Sequence, residues 1–261
     1  MSAMPVLFIS HGSPMHAVQE HPAALAWVSA VSQLTRPKAV LMVSAHWESG
    51  PPLIGGAEQP ETIHDFGGFP DELYRIRYPA PGAPDLAARI QNLLRDAGLE
   101  AGIDGCRGLD HGAWVPLLKM YPQADVPVLQ LSVQPGLDAR HHLKLGAALS
   151  HLRKEGVLIV GSGHMTHNLR DWFHGARIDA GPYAREFRDW VAKHLLAKDI
   201  DALSAWEEQA PHARRAHPTP EHFLPLFVAL GAAKDDLAPE CLHSSFEYGV
   251  LAMDAWRLAS A

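Results

Sequence analysis

VLIVGSGHMTHNL, residues 157–169, opens with four consecutive aliphatic residues and then breaks into Gly-Ser-Gly and two histidines. So short and apolar a run, stopped by glycine, reads as a strand covered on both faces. Its polar tail falls just past the carboxyl end of that strand, where α/β sheets carry their functional groups. The same arrangement recurs along the chain. VLFIS (6–10) runs into His11-Gly12-Ser13-Pro14, and AVLMVS (39–44) runs into Ala45 and His46-Trp47-Glu48. A fourth run, VPVLQLSV (126–133), completes the set of clear strands. Helical spacing of apolar residues separates them at 21–34, 84–97, 139–154 and 183–197, with two shorter stretches at 202–208 and 221–232. The alternation predicts an α/β fold: one domain over residues 1–261, with a central, mostly parallel or mixed sheet flanked by helices. Proline and glycine mark 50–60 and 66–84 as long ordered loops. The His-, Arg- and Pro-rich stretch 209–220 reads as a mobile loop.

Composition narrows the function classes. Lys plus Arg is 22 against 29 for Asp plus Glu, a formal charge of −7. That sign disfavours nucleic acid, whose binding needs a basic face. Two cysteines, Cys106 and Cys241, supply neither a disulfide framework nor a thiolate-rich zinc site. The longest uncharged apolar run, 224–233, is about half of the roughly 20 residues of a membrane span. The segment MSAMPVLFIS lacks a basic n-region and reads as a strand rather than a signal peptide. A cytoplasmic protein without a membrane partner is the expectation.

Histidine is the unusual count, at 17 of 261 residues. His11, His46 and His167 follow strands, and His111 sits in a glycine-flanked loop, Gly108-Leu-Asp-His-Gly112. His222, behind Pro220, is placed in the first turn of a helix facing the core, with Glu221 as an alternative ligand. Adjacent helical residues point about 100° apart, so only one of that pair can face a given ion. Neutral imidazoles converging at neighbouring strand ends would bind a divalent transition metal. His16, His21, His141, His142, His151, His174, His194, His212, His217 and His243 lack such context and read as surface residues. Asp65, Phe69 and Tyr74 lie in a loop able to wall a planar substrate, while Tyr78 reads as packing. Arg75 and Arg77 read as solvated, and His64 as either close to the site or exposed. Ser13 and Ser162 lie outside any Gly-x-Ser-x-Gly elbow, against a serine hydrolase. Gly161-Ser162-Gly163 lacks the full dinucleotide pattern.

HGSPM (11–15), SAHWE (44–48), IHDFGGFPDELYRIRYPAPG (63–82), GLDHGAWVPL (108–117), GSGHMTHNL (161–169) and TPEHFLPL (219–226) occur in this order. Together they resemble the DOPA-dioxygenase-type branch of the class III extradiol ring-cleavage dioxygenases, relatives of the catalytic subunit of protocatechuate 4,5-dioxygenase. The resemblance implies a non-haem metal enzyme that opens a small catechol with O2 to a muconic semialdehyde. It implies that His11, His46 and His222 hold the metal, with His167 as acid/base and His111 as a second polar group on the oxygen or substrate side. The chain departs from the broader class in offering His222 where a glutamate usually completes the ligand set. The resemblance implies Fe(II) for activity, and three histidines also suit Zn(II). The alternative function is therefore a zinc hydrolase of a small ester or amide, in which the ion activates water.

Overall fold

The computed structural model describes residues 3–173 and 182–259. Among the described residues there are ten strands: β1 (Val6–Ser10), β2 (Ala39–Glu48), β3 (Leu53–Gly55), β4 (Gly102–Asp104), β5 (Val128–Val133), β6 (Val157–Gly163), β7 (Leu237–His243), β8 (Phe246–Glu247), β9 (Leu251–Ala252) and β10 (Ala255–Ala259). Eight of them form one sheet in the order β4-β3-β5-β2-β6-β1-β10-β7. β5, β2, β6 and β1 run parallel at its centre, whereas β10 pairs antiparallel with β1, and β3 antiparallel with β5. These four are the strands read from the sequence, and their residues are almost wholly buried. Both faces of the sheet are covered, which is why alternation is absent from their sequences.

Helices form the two outer layers: α1 (Pro22–Ser32), α2 (Asp71–Arg75), α3 (Pro84–Asp96), α4 (His111–Met120), α5 (Ala139–Leu149), α6 (Leu169–Phe173), α7 (Pro182–Leu196), α8 (Ile200–Ser204), α9 (Trp206–Gln209), α10 (Ala213–Ala216) and α11 (Leu224–Ala232). Phe8, Leu41, Val43 and Ile159 face α3, α5, α7 and α11, where Ile90, Leu145, Phe187 and Val228 are buried. Leu7, Ile9, Met42 and Val160 face the other way, onto Trp27 of α1 and Trp114 of α4. No helix among the described residues is long and apolar enough to cross a membrane.

The structure corrects several expectations. The stretch around His111 is helical: α4 begins at His111 and continues through Pro116. The helix after His222 begins only at Leu224, so His222 sits in the turn before it. Residues 139–154 divide into α5 and a 3-10 helix, Ser150–Glu155. Residues 202–208 divide between α8 and α9. The stretch 209–220, expected as a loop, contains α10 and packs Ala213, Ala216 and His217 into the interior.

Candidate active site

Sheet topology brings the histidine motifs together. β1, β6 and β2 are adjacent and parallel, so His11, the loop after β6 and His46 share one edge of the sheet. His46 lies inside β2 rather than past its end. Two glycines fix the approach. Gly12 has φ +69°, a left-handed backbone, and a side chain there would strike the His16 ring. Gly163 lets the turn before α11 lie directly on β6. A Cβ at Gly163 would collide with the His222 carbonyl oxygen, which accepts the His164 N–H at 2.8 Å.

The hydrogen bonds to each ring's Nδ1 decide what its Nε2 can do. Ser162 Oγ donates to the Gly112 carbonyl at 2.5 Å, so it can only accept from His11 Nδ1–H, 3.1 Å away. His222 Nδ1–H donates to Glu221 Oε1 at 2.8 Å. His111 Nδ1–H donates to Asp65 Oδ2 at 3.0 Å, and His46 Nδ1 faces the same oxygen at 3.5 Å. The Nε2 atoms of neutral rings so bonded, as at His11 and His222, are left with lone pairs. Those of His11 and His46 lie 3.0 Å apart, and that of His222 is buried without a hydrogen-bond partner among the described residues. Lone pairs gathered in this way lack donors, and a divalent cation is the partner such a set fits. One nitrogen from each of His11, His46 and His111 falls within 4.8 Å of the others, and His167, Glu221 and His222 form an adjoining group by the same measure.

Electrostatics agree with that donor set. Burial, reinforced by the neighbouring imidazoles, holds the pKa values of His11 and His222 well below the usual histidine range. Burial and the field of His111 bring His46 down to about 3, despite the opposing pull of Asp65. Neutral imidazole is the form that binds metal. Burial would raise Asp65, but its hydrogen bonds from His111 outweigh this and bring the carboxyl down to about 2. His167 stacks on the His222 ring at 3.5 Å, and burial brings it to about 3.

The five predicted histidines therefore form one cluster of adjoining rings. Asp65 is present but bonded to His111 rather than free for substrate. Phe69 and Tyr74 stand behind Phe66, whose ring packs 5.3 Å and 5.2 Å from theirs and 5.8 Å from His111. Phe66 was not predicted, although its place beside Asp65 marks it. His164, also unassigned by the sequence, is buried and accepts the Gly12 N–H on Nε2 at 3.1 Å, bracing the turn after His11. Asp110, fully buried, accepts from Arg107, Gln130 and Ser44 and anchors the start of α4. Tyr78 packs as expected, its hydroxyl donating to the Tyr121 carbonyl at 3.0 Å. Arg77 donates to the Tyr74 and Ile76 carbonyls of its own loop, and His64 packs beside Trp114.

The surface assignment of the other histidines fails at several positions. His16, His142 and His217 are buried, because each exchanges hydrogen bonds with interior partners. His21, His141, His194 and His243 are half-buried, whereas His151 and His212 are exposed. His174 lies outside the described residues. His16, His21 and Glu247 also converge within ligand distance. There, however, His21 Nδ1 accepts the Ala23 N–H, so its Nε2 carries the hydrogen and donates to Glu247. With His16 bonded to the same carboxylate oxygen at 2.6 Å, the trio is a hydrogen-bonded clasp.

A parallel-centred α/β sheet whose strand ends carry neutral, oriented imidazoles defines a metal-dependent enzyme. The chain belongs to the family described as the catalytic LigB subunit of aromatic ring-opening dioxygenase, which matches residues 5–254. It is 43% identical over 257 residues to a Beta vulgaris protein named 4,5-DOPA dioxygenase extradiol, covering 97% of this chain and 96% of that one. An Escherichia coli (strain K12) protein of the same name is 42% identical over 236 residues, covering 88% and 85%. A crystal structure of an uncharacterized Escherichia coli K12 protein superposes with a TM-score of 0.82 at 34% identity, covering 98% of this chain and all of that one. The protein is an extradiol ring-opening dioxygenase, and these relatives side with ring opening over the hydrolase alternative.

Proposed function

We propose that the protein opens a small catechol of the DOPA type with O2 to a muconic semialdehyde, using Fe(II) held by His11, His46 and His222. The observation that carries this reading is that Nδ1 of His11 and of His222 is hydrogen-bonded by Ser162 and Glu221, and Nδ1 of His46 faces Asp65, so that Nε2 of each neutral ring is left to a metal. Rings that bind one ion through Nε2 at about 2.0–2.3 Å, with ligand angles between right-angled and tetrahedral, have centroids roughly 4.5–5.6 Å apart. The His11–His46 and His46–His222 separations are both 4.9 Å, and His11–His222 is 5.6 Å. Substituting His111 for His222 brings in a 4.0 Å separation from His46, too close for that geometry. The donor set also fits Zn(II). The names of the plant and bacterial relatives support a DOPA-like substrate.

Bound Fe(II) would supply adjacent positions for a chelating catecholate and for O2, and would make the catechol hydroxyl easier to ionise. His167 is assigned the remaining proton. Its neutral ring lies against His222, able to take a hydroxyl proton and return it later. His111 borders the same space and is assigned to the oxygen or substrate side. The Phe66 ring beside it gives a planar substrate an aromatic face. The test is an aerobic assay with Fe(II) on simple catechol, a catechol bearing an acidic side chain, and DOPA. Yellow ring-opened product from DOPA is expected. Hydrolysis of a p-nitrophenyl ester with zinc, and no catechol consumed, would overturn the proposal.

A further inference from the structure

We propose that Asp65 is a positioning residue that sets the tautomers of His46 and His111 together, aiming both Nε2 atoms into the histidine cluster. The inference rests on the ring-opening reading only for what that cluster binds. Two hydrogen bonds and one further ring nitrogen converge on the one carboxylate. Oδ1 accepts the His111 backbone N–H at 2.9 Å, while Oδ2 accepts His111 Nδ1–H at 3.0 Å and lies 3.5 Å from His46 Nδ1. An ionised carboxylate only accepts, so each imidazole nitrogen facing it must carry its hydrogen. In a neutral ring the opposite nitrogen is then a lone pair, which is what a metal or a reacting proton needs.

The geometry explains why this carboxylate comes from a distant loop. Asp110 precedes α4 in the capping position but makes no capping bond, because Ser44, Arg107 and Gln130 occupy its oxygens. The first free N–H of the helix, that of His111, therefore goes to Asp65. Two bonds to the same residue, one to backbone and one to ring, fix the ring's direction as well as its tautomer. With both oxygens engaged, Asp65 is poorly placed to hold substrate. Its loop is anchored independently, since Ile63 donates its N–H to the Leu109 carbonyl at 2.8 Å and accepts Trp114 Nε1–H at 2.9 Å.

Asparagine at this position would present an NH2 where an acceptor is required, turning His111 to the Nε2–H form. The test is nitrogen NMR of the imidazoles in the metal-free protein at neutral pH, together with zinc affinity by chelator competition. We expect His46 and His111 as Nδ1–H tautomers in the parent. In Asp65→Asn, His111 should appear as Nε2–H and zinc affinity should fall roughly 10–100-fold. Asp65→Glu should recover the parent tautomers. A parent His111 in the Nε2–H form would overturn the proposal. So would an Asp65→Asn protein that raises the KM for catechol while leaving tautomers and zinc affinity unchanged. Both readouts are independent of turnover, so failure of the dioxygenase assay and failure of the Asp65 role are separate results.

Discussion

Each histidine of the cluster is defined by what its second nitrogen does, and this makes single substitutions informative. His222→Ala should lose stoichiometric metal if its unpartnered Nε2 is, as proposed, the third donor; metal analysis of the purified variant reads this directly. His167→Ala should retain metal and lose turnover by roughly the 10²–10⁴-fold assigned to a general acid/base. Loss of metal in that variant would make His167 a ligand. Away from the cluster, His142 accepts the Gln134 N–H on Nε2, and burial lowers its pKa to about 4 from an unfolded value of 6.5. The unfolded chain therefore takes up this proton first as pH falls. The stability held above pH 6.5 should be lost through pH 4, by at most about 1.4 kcal/mol per pH unit. Denaturant midpoints across that window should fall less steeply in His142→Gln than in the parent, and equal slopes would contradict the assignment. His142 also shows what a sequence withholds. Its neighbour His141 is half-buried on the same helix, and only the packing of α5 distinguishes the two. The motifs of His11 and His167 were legible because each follows a strand of the parallel centre, whereas the partners of the ring Nδ1 atoms depend on contacts distant in sequence.

The central strands were readable because burial on both faces leaves an unbroken apolar run. The sheet margins were not. β3 and β4 have three residues each, and β7 carries Pro239 and alternates exposed with half-buried positions, as an edge strand can. α4 was hidden by Gly112 and Pro116, although its buried Trp114 and Leu117 have helical spacing. The close seat of the pre-α11 turn on β6 yields a sharper prediction. Gly163→Ala should push the His222 carbonyl off the strand, costing about 1–3 kcal/mol, and weaken metal binding with it. Chemical denaturation and metal titration of the same variant test both effects. A normal metal affinity would mean that His222 does not depend on this contact.

Across the molecule, the proposed ligands come from three separate parts of the fold: the turn after β1, the strand β2, and the turn entering α11. An ion binding all three should therefore stabilise the whole α/β unit rather than one loop. At zinc concentrations 100-fold above Kd, the gain should be about 2.7 kcal/mol. That gain should vanish in His46→Ala, as read by thermal unfolding with and without a chelator. The acidic net charge and single-ring aromatic wall suit a small planar substrate. The most direct measurement of the central claim is mass spectrometry of the product formed by the Fe(II)-loaded protein from DOPA under isotopically labelled dioxygen. The account predicts a ring-opened product carrying both labelled atoms. Unchanged DOPA, or a product whose new oxygen comes from water, would contradict it.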